Sequence, residues 1–153
     1  MPVHEEKKVL TFLPEQIFEM VADVERYPDF LPWCVASRIK RRQEKRIIAD
    51  LVIGFKMIRE KFTSQVDLNR EELRIEVTYL DGPFKYLTNT WIFETHPEGC
   101  LVDFHVDFEF KSKMLQILME PLFHEAVRRM VHAFETRAAV LFTPCDKTAT
   151  LKI

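Results

Sequence analysis

The sequence predicts an α+β fold: one curved, seven-stranded antiparallel sheet wrapped around a long C-terminal helix, with two short helices after the first strand. Three observations predict it. Across residues 113–142, Leu115, Leu118, Leu122, Ala126, Met130, Phe134, Ala138 and Leu141 recur at steps of three or four, the period of one buried helix face. From residue 35 to residue 110 the period changes to two, in six consecutive runs with short connections, which predicts an antiparallel meander. Each run has one apolar and one polar face. The sheet is therefore covered on one side only, and the C-terminal helix is the element able to cover it.

Residues 4–13 begin polar and end in Val9, Leu10, Phe12 and Leu13, a first strand. Pro14 suits the first turn of a helix, and Ile17, Phe18, Val21 and Ala22 follow at helical spacing. Residues 23–34 carry Pro28 and Pro32, which prevent one continuous helix and predict a broken second helix or tight turns. Strands follow over 35–42, 46–57, 58–68, 73–79, 84–95 and 100–110. Their inward residues include Leu51, Ile53 and Met57, then Phe62 and Val66, then Trp91 and Phe93, then Phe104, Val106 and Phe108. Asp81-Gly82-Pro83 is a turn signal. Pro121 lies inside the C-terminal pattern, where it cannot donate a backbone hydrogen bond, and predicts a kink or restart. Residues 1–143 are expected to form one domain, with residues 144–153 a disordered tail.

Thirteen Phe against three Gly exclude a glycine-rich phosphate loop and leave aromatic bulk to fill, or to line, the interior. A net charge of −2 gives no global attraction to nucleic acid, so DNA is not an expected partner. The scattered Cys34, Cys100 and Cys145 indicate neither a disulfide framework nor a thiolate zinc site. With no signal region and no apolar run near the ~18 residues of a bilayer span, a cytoplasmic protein is expected, at most peripheral to a membrane.

His4, His96, His105, His124 and His132 fall in no metal-binding spacing, and no nucleophile motif is present. Catalysis is thus not required. Two features invite a functional reading. Arg38, Lys40, Arg41, Arg42, Lys45 and Arg46 crowd a hairpin; a solubilising role is the first reading, and docking to lipid head groups or RNA phosphates the other. The inner face is either a dry interdigitated core, which the pattern alone favours, or a lined cavity. Glu60, Ser64 and Asn89 fall on that face and need partners, which backbone, water or a ligand head group could supply.

Tyr27-Pro28-Asp29-Phe30-Leu31-Pro32-Trp33-Cys34, with Ile17-Phe18, Asp23-Val24, Asp81-Gly82-Pro83-Phe84 and Trp91-x-Phe93, resembles the coenzyme Q-binding START-domain family. That family belongs to the wider polyketide-cyclase and lipid-transport superfamily with the helix-grip fold. The resemblance spans about residues 3–143, and its Tyr-Pro-x-Phe-Leu-Pro-Trp-Cys run is its most specific part. It implies a hydrophobic tunnel between sheet and helix that binds ubiquinone or a related polyprenyl lipid without catalytic cofactor, in support of respiration. Tyr27, Phe30, Leu31, Pro32 and Trp33 would then form part of the tunnel mouth, and Trp91 and Phe93 its wall. Strand and helix periodicity add Leu51, Ile53, Phe62, Ser64, Val66, Asn89, Phe104, Val106, Phe108, Phe123, Val127 and Met130 to the expected lining.

Bacterial members of the same family are also described as ribosome-association toxins that block subunit joining, a role the basic hairpin would suit. The expectation is a monomeric, non-enzymatic lipid binder, peripheral at the inner membrane. A ribosome-directed inhibitor is the alternative. A polyketide cyclase-like enzyme, with Glu60 as its one candidate acid–base group, comes third.

Overall fold

A computed structural model describes residues 3–55 and 58–145. Met57, expected on the inner face, and the expected tail from residue 146 onward lie outside the described residues. The chain runs β1 (Val3–Leu10), α1 (Pro14–Ala22), a 3-10 helix (Val24–Asp29), then β2 (Cys34–Arg42), β3 (Arg46–Phe55), β4 (Ile58–Asn69), β5 (Arg74–Asp81), β6 (Phe84–His96) and β7 (Gly99–Phe110). Two helices close it: α2 (Lys113–Met119) and, after a 3-10 turn over Glu120–Leu122, α3 (Phe123–Leu141). All strand pairs are antiparallel, in the order β1-β7-β6-β5-β4-β3-β2. The meander is interrupted once, where β1 joins β7 and leaves β1 and β2 as the two edges.

The strands form where alternation predicts them, because only period-two spacing puts one face of a pleated chain against a core. In β7 Val102, Phe104, Val106, Phe108 and Phe110 are buried. Their outward neighbours find polar partners: Lys85 pairs with Glu109 at 3.1 Å, and the Tyr86 hydroxyl donates to Asp107 at 3.3 Å. α1 begins at Pro14 and buries Ile17, Phe18, Met20, Val21 and Ala22 against the sheet. Pro28 sits inside the 3-10 helix that replaces a second α-helix.

The C-terminal helix departs from its expected face. Pro121 splits it, and on α3 the buried stripe is Phe123, Val127, Met130, Phe134 and Ala138. Leu118 and Leu141, expected on that stripe, are 52% and 47% exposed. The unbroken periodicity misplaces Leu118 because the 3-10 turn winds more tightly than 3.6 residues per turn and rotates α2 relative to α3, while Leu141 is the last residue of α3, one turn past Ala138, where the buried stripe ends. Gly82 turns the chain from β5 to β6 at φ +145°, where a Cβ would lie 2.6 Å from Phe62 Cβ. Cys145, at the start of the expected tail, donates its backbone N–H to Thr11 O at 2.6 Å.

Candidate functional site

Between the sheet and α3 the core does not close. It leaves a cavity of about 210 Å³, walled by the inner faces of β3 to β7, the segment from Val24 to Trp33, the end of α2 and the buried stripe of α3. Protein interiors rarely hold voids larger than a water molecule. This one is partly open to the surface, a lined pocket rather than a sealed void.

The wall is almost wholly apolar. Trp91 lies edge-on to Phe104 at 4.6 Å and to Phe134 at 5.3 Å, and Phe84 stacks on Phe110 at 4.8 Å. Its few polar groups are mostly committed. Asn89 donates to His105 O at 2.9 Å and accepts from Trp91 Nε1 at 3.0 Å. The Tyr27 hydroxyl donates to Val21 O. Burial, followed by the nearby Cys34 and Asp23, pushes the Tyr27 phenol well above its ordinary range. Ser64 differs: it is 1% exposed, it lines the cavity, and its hydroxyl has no hydrogen-bond partner among the described residues. Beside the cavity, burial pushes the Cys34 thiol up to about 11, and Cys34 Sγ contacts Ala36 O at 3.6 Å, so the thiol is inert at neutral pH.

All but three of the expected lining residues reach this cavity: Tyr27, Leu31, Trp33, Leu51, Ile53, Phe62, Ser64, Val66, Asn89, Trp91, Phe104, Val106, Phe108, Phe123, Val127 and Met130. Phe30, Pro32 and Phe93 do not. The turns after Asp29 send Phe30 and Pro32 outward, into a surface groove along α3 where Arg137 lies over the Phe30 ring at 5.3 Å. Phe93 stacks on Trp91 and meets Phe18 of α1 edge-on at 5.8 Å, beyond the cavity wall. Glu60, half-buried at the start of β4, is not on the wall.

The wall also contains residues outside the expected lining. Ile75, Val77, Leu87, Phe110 and Phe134 carry the alternation or helical spacing that could have placed them there. Phe84 does not: a bulge between Phe84 and Tyr86 breaks the period, so Phe84 points inward against the parity of Leu87. Val21 and Val24 come from the helical segment after β1, and Met119 and Ala126 from the two sides of the Pro121 break.

Arg38, Lys40, Arg41, Arg42, Lys45 and Arg46 are all exposed along the β2 edge and the β2–β3 turn. Arg42 pairs with Glu25 at 3.3 Å and Arg46 with Asp67 at 2.7 Å. Arg38, Lys40, Arg41 and Lys45 have no ion pair among the described residues, although Lys40 lies near enough to act on Asp50. Burial alone would raise Asp50, but the Thr63 hydrogen bond together with Lys40 and Lys61 holds its carboxyl below the usual range. No cluster of metal-ligating side chains occurs among the described residues.

The family described as polyketide cyclase / dehydrase and lipid transport matches residues 11–135. This chain belongs to that family. Among its relatives, the ribosome association toxin RatA of Rickettsia prowazekii is 37% identical over 134 residues, covering 86% of this chain and 92% of that protein. The mitochondrial coenzyme Q-binding protein COQ10 homolog B of Xenopus laevis is 34% identical over 144 residues, 91% of this chain and 59% of that protein. A START superfamily protein from Mycobacterium smegmatis superposes with a TM-score of 0.78 at 19% identity, over 92% of this chain and 99% of that one. The fold is the helix-grip fold, with the cavity in the grip.

Proposed function

We propose that this family member is a non-catalytic carrier that sequesters ubiquinone or a related polyprenyl lipid and supports respiratory electron transport. The apolar cavity carries the reading, since an apolar guest that enters it leaves water and gains contacts along the whole wall. Each buried CH₂ of an isoprenoid tail adds about 0.8 kcal/mol. In this reading the Ser64 hydroxyl donates to one quinone carbonyl, which would give the guest an orientation. At about 210 Å³ the cavity is smaller than the roughly 300–1,000 Å³ usual for ligand pockets. It takes a ring or a stretch of tail, and a complete polyprenyl chain requires α3 to move outward. The name of the Xenopus laevis relative supports the ligand class. General acid–base catalysis needs a titratable group beside the reacting atoms. The wall offers only the hydrogen-bonded Tyr27 among the described residues, which disfavours a cyclase through Glu60. The carrier works as a cytoplasmic monomer, peripheral at the inner membrane.

The test is native mass spectrometry of protein purified gently from its own host, followed by organic extraction of what is bound. A quinone at near-stoichiometric occupancy is expected. Empty protein, with a Tm that added ubiquinone does not raise, overturns the reading.

A second reading, ribosome-directed inhibition, has its own observation: the exposed basic edge of β2, in a chain whose Rickettsia prowazekii relative is named for ribosome association. Reversing the charges of Arg41 and Arg42 separates the two. Lost co-sedimentation with ribosomal subunits and intact lipid binding favours this reading; unchanged co-sedimentation counts against it.

A further inference from the structure

α2 is built the wrong way round for a helix on a soluble protein. None of its seven residues is buried, and Met114, Ile117 and Leu118 are 72%, 70% and 52% exposed. These positions are spaced by three and four, so the three aliphatic side chains share one outward face. The orientation is fixed from the other side. Gln116 Oε1 accepts the Phe110 N–H at 2.9 Å, which ties α2 to the end of β7, while Leu115 packs against the core. Met119, at the C-terminal end of α2, lines the cavity. Lys111 and Lys113 stand exposed at the start of the helix with no ion pair among the described residues, and one carboxylate, Glu120, stands past its end.

We infer that the exposed face of α2 is a docking surface for a lipid bilayer with anionic head groups, seating the cavity against its source of lipid. The inference rests on the lipid-carrier reading for its purpose, not for its geometry. Large aliphatic residues beside lysines match the boundary of a bilayer, where apolar side chains enter the acyl layer and ammonium groups meet phosphate. Three side chains fall far short of the ~800 Å² per partner that a stable protein dimer buries, so a second copy of the chain does not suit the patch. In the meander, the end of β3, the start of β4, the β5–β6 turn and the end of β7 all lie at the α2 end of the sheet. The basic β2–β3 turn lies at the opposite end and points away from a bilayer held by α2.

The experiment uses the full chain in two separate assays. Vesicle flotation compares phosphatidylcholine vesicles with and without phosphatidylglycerol. Quenching of tryptophan fluorescence by a short-tailed, water-soluble quinone reads the cavity without any membrane. The wild-type chain should float, more strongly with phosphatidylglycerol. Ile117→Glu should weaken flotation about tenfold or more yet leave quenching unchanged. Val140→Glu, at a position 72% exposed on α3, should leave both unchanged and controls for added charge. The inference is overturned if the wild-type chain does not float, or if Ile117→Glu floats as well as the wild type. It is equally overturned if Val140→Glu loses as much, or if light scattering shows a dimer that Ile117→Glu dissolves. Absent quenching in the wild type would instead overturn the carrier reading, while flotation lost only in Ile117→Glu would still support docking.

Discussion

His4 of β1 and His124 of α3 meet with their Nδ1 atoms 2.9 Å apart, joining the edge of the sheet to the first turn of the gripping helix. One ring donates and the other accepts, so the bond requires at least one neutral imidazole. Burial lowers the His4 pKa most; Glu6 pulls it up, while His124 and Arg128 push it down, and the net shift is downward. The folded value therefore lies below the ordinary one near 6.5, and the unfolded chain binds the proton more readily. Stability should fall as pH drops from about 6.5 through the folded value. Urea midpoints between roughly pH 7.5 and 5.5 should decline in the wild type and decline less in His4→Gln. Parallel slopes would show that the pair does not couple to folding.

Phe134 touches three rings, those of Tyr27, Phe30 and Trp91, at 5.5, 5.2 and 5.3 Å. It is the main anchor of α3 over the cavity, 3% exposed. Phe134→Ala should cost about 3–5 kcal/mol in chemical denaturation, and Phe134→Leu clearly less, because it leaves a smaller void.

Gly82 should not tolerate a side chain. An added Cβ would sit 2.6 Å from Phe62 Cβ and 2.9 Å from Phe62 Cα, at a φ of +145° that L residues avoid. Gly82→Ala should lower stability by more than about 1 kcal/mol, measured by the denaturant midpoint at unchanged slope.

Ser64→Ala separates a structural hydroxyl from a ligand-directed one. Because Ser64 has no partner among the described residues, removing its oxygen should leave the ligand-free Tm unchanged or slightly raised. Affinity for a soluble quinone should fall by about three- to tenfold, the worth of one hydrogen bond. Equal affinity in both proteins would remove Ser64 as the anchor of the head group.

The sheet was largely legible because alternation depends on the residue pattern alone, and β4 and β7 obey it without a break. Legibility failed where the backbone changes its period. The Phe84–Tyr86 bulge turned Phe84 inward, and the 3-10 turn at Glu120–Leu122 carried Leu118 out of the buried stripe. The run from Tyr27 to Trp33 reads as one apolar unit, yet its tight turns divide it: Tyr27, Leu31 and Trp33 face the cavity, and Phe30 and Pro32 the outer groove. The void itself left no trace in the pattern. Periodicity tells which side a residue faces, while empty volume depends on how far apart two faces are held. The orphaned Ser64 hydroxyl was visible only as an inward polar residue.

The pairing of β1 with β7 also bears on how the chain matures. Leu10 finds its partner at Cys100 and Val3 at Asp107. During synthesis at about 5–20 residues per second, the first strand therefore waits on the order of 5–20 s for its neighbour to exist. Until then β2 to β6 can zip only from the hairpins of the middle of the chain, and the inner aromatic surface stands uncovered, since α3 comes later still. The nascent chain is thus most exposed to misassembly late in translation, and the final closure joins its first strand and its last helix, which His4 and His124 bring together.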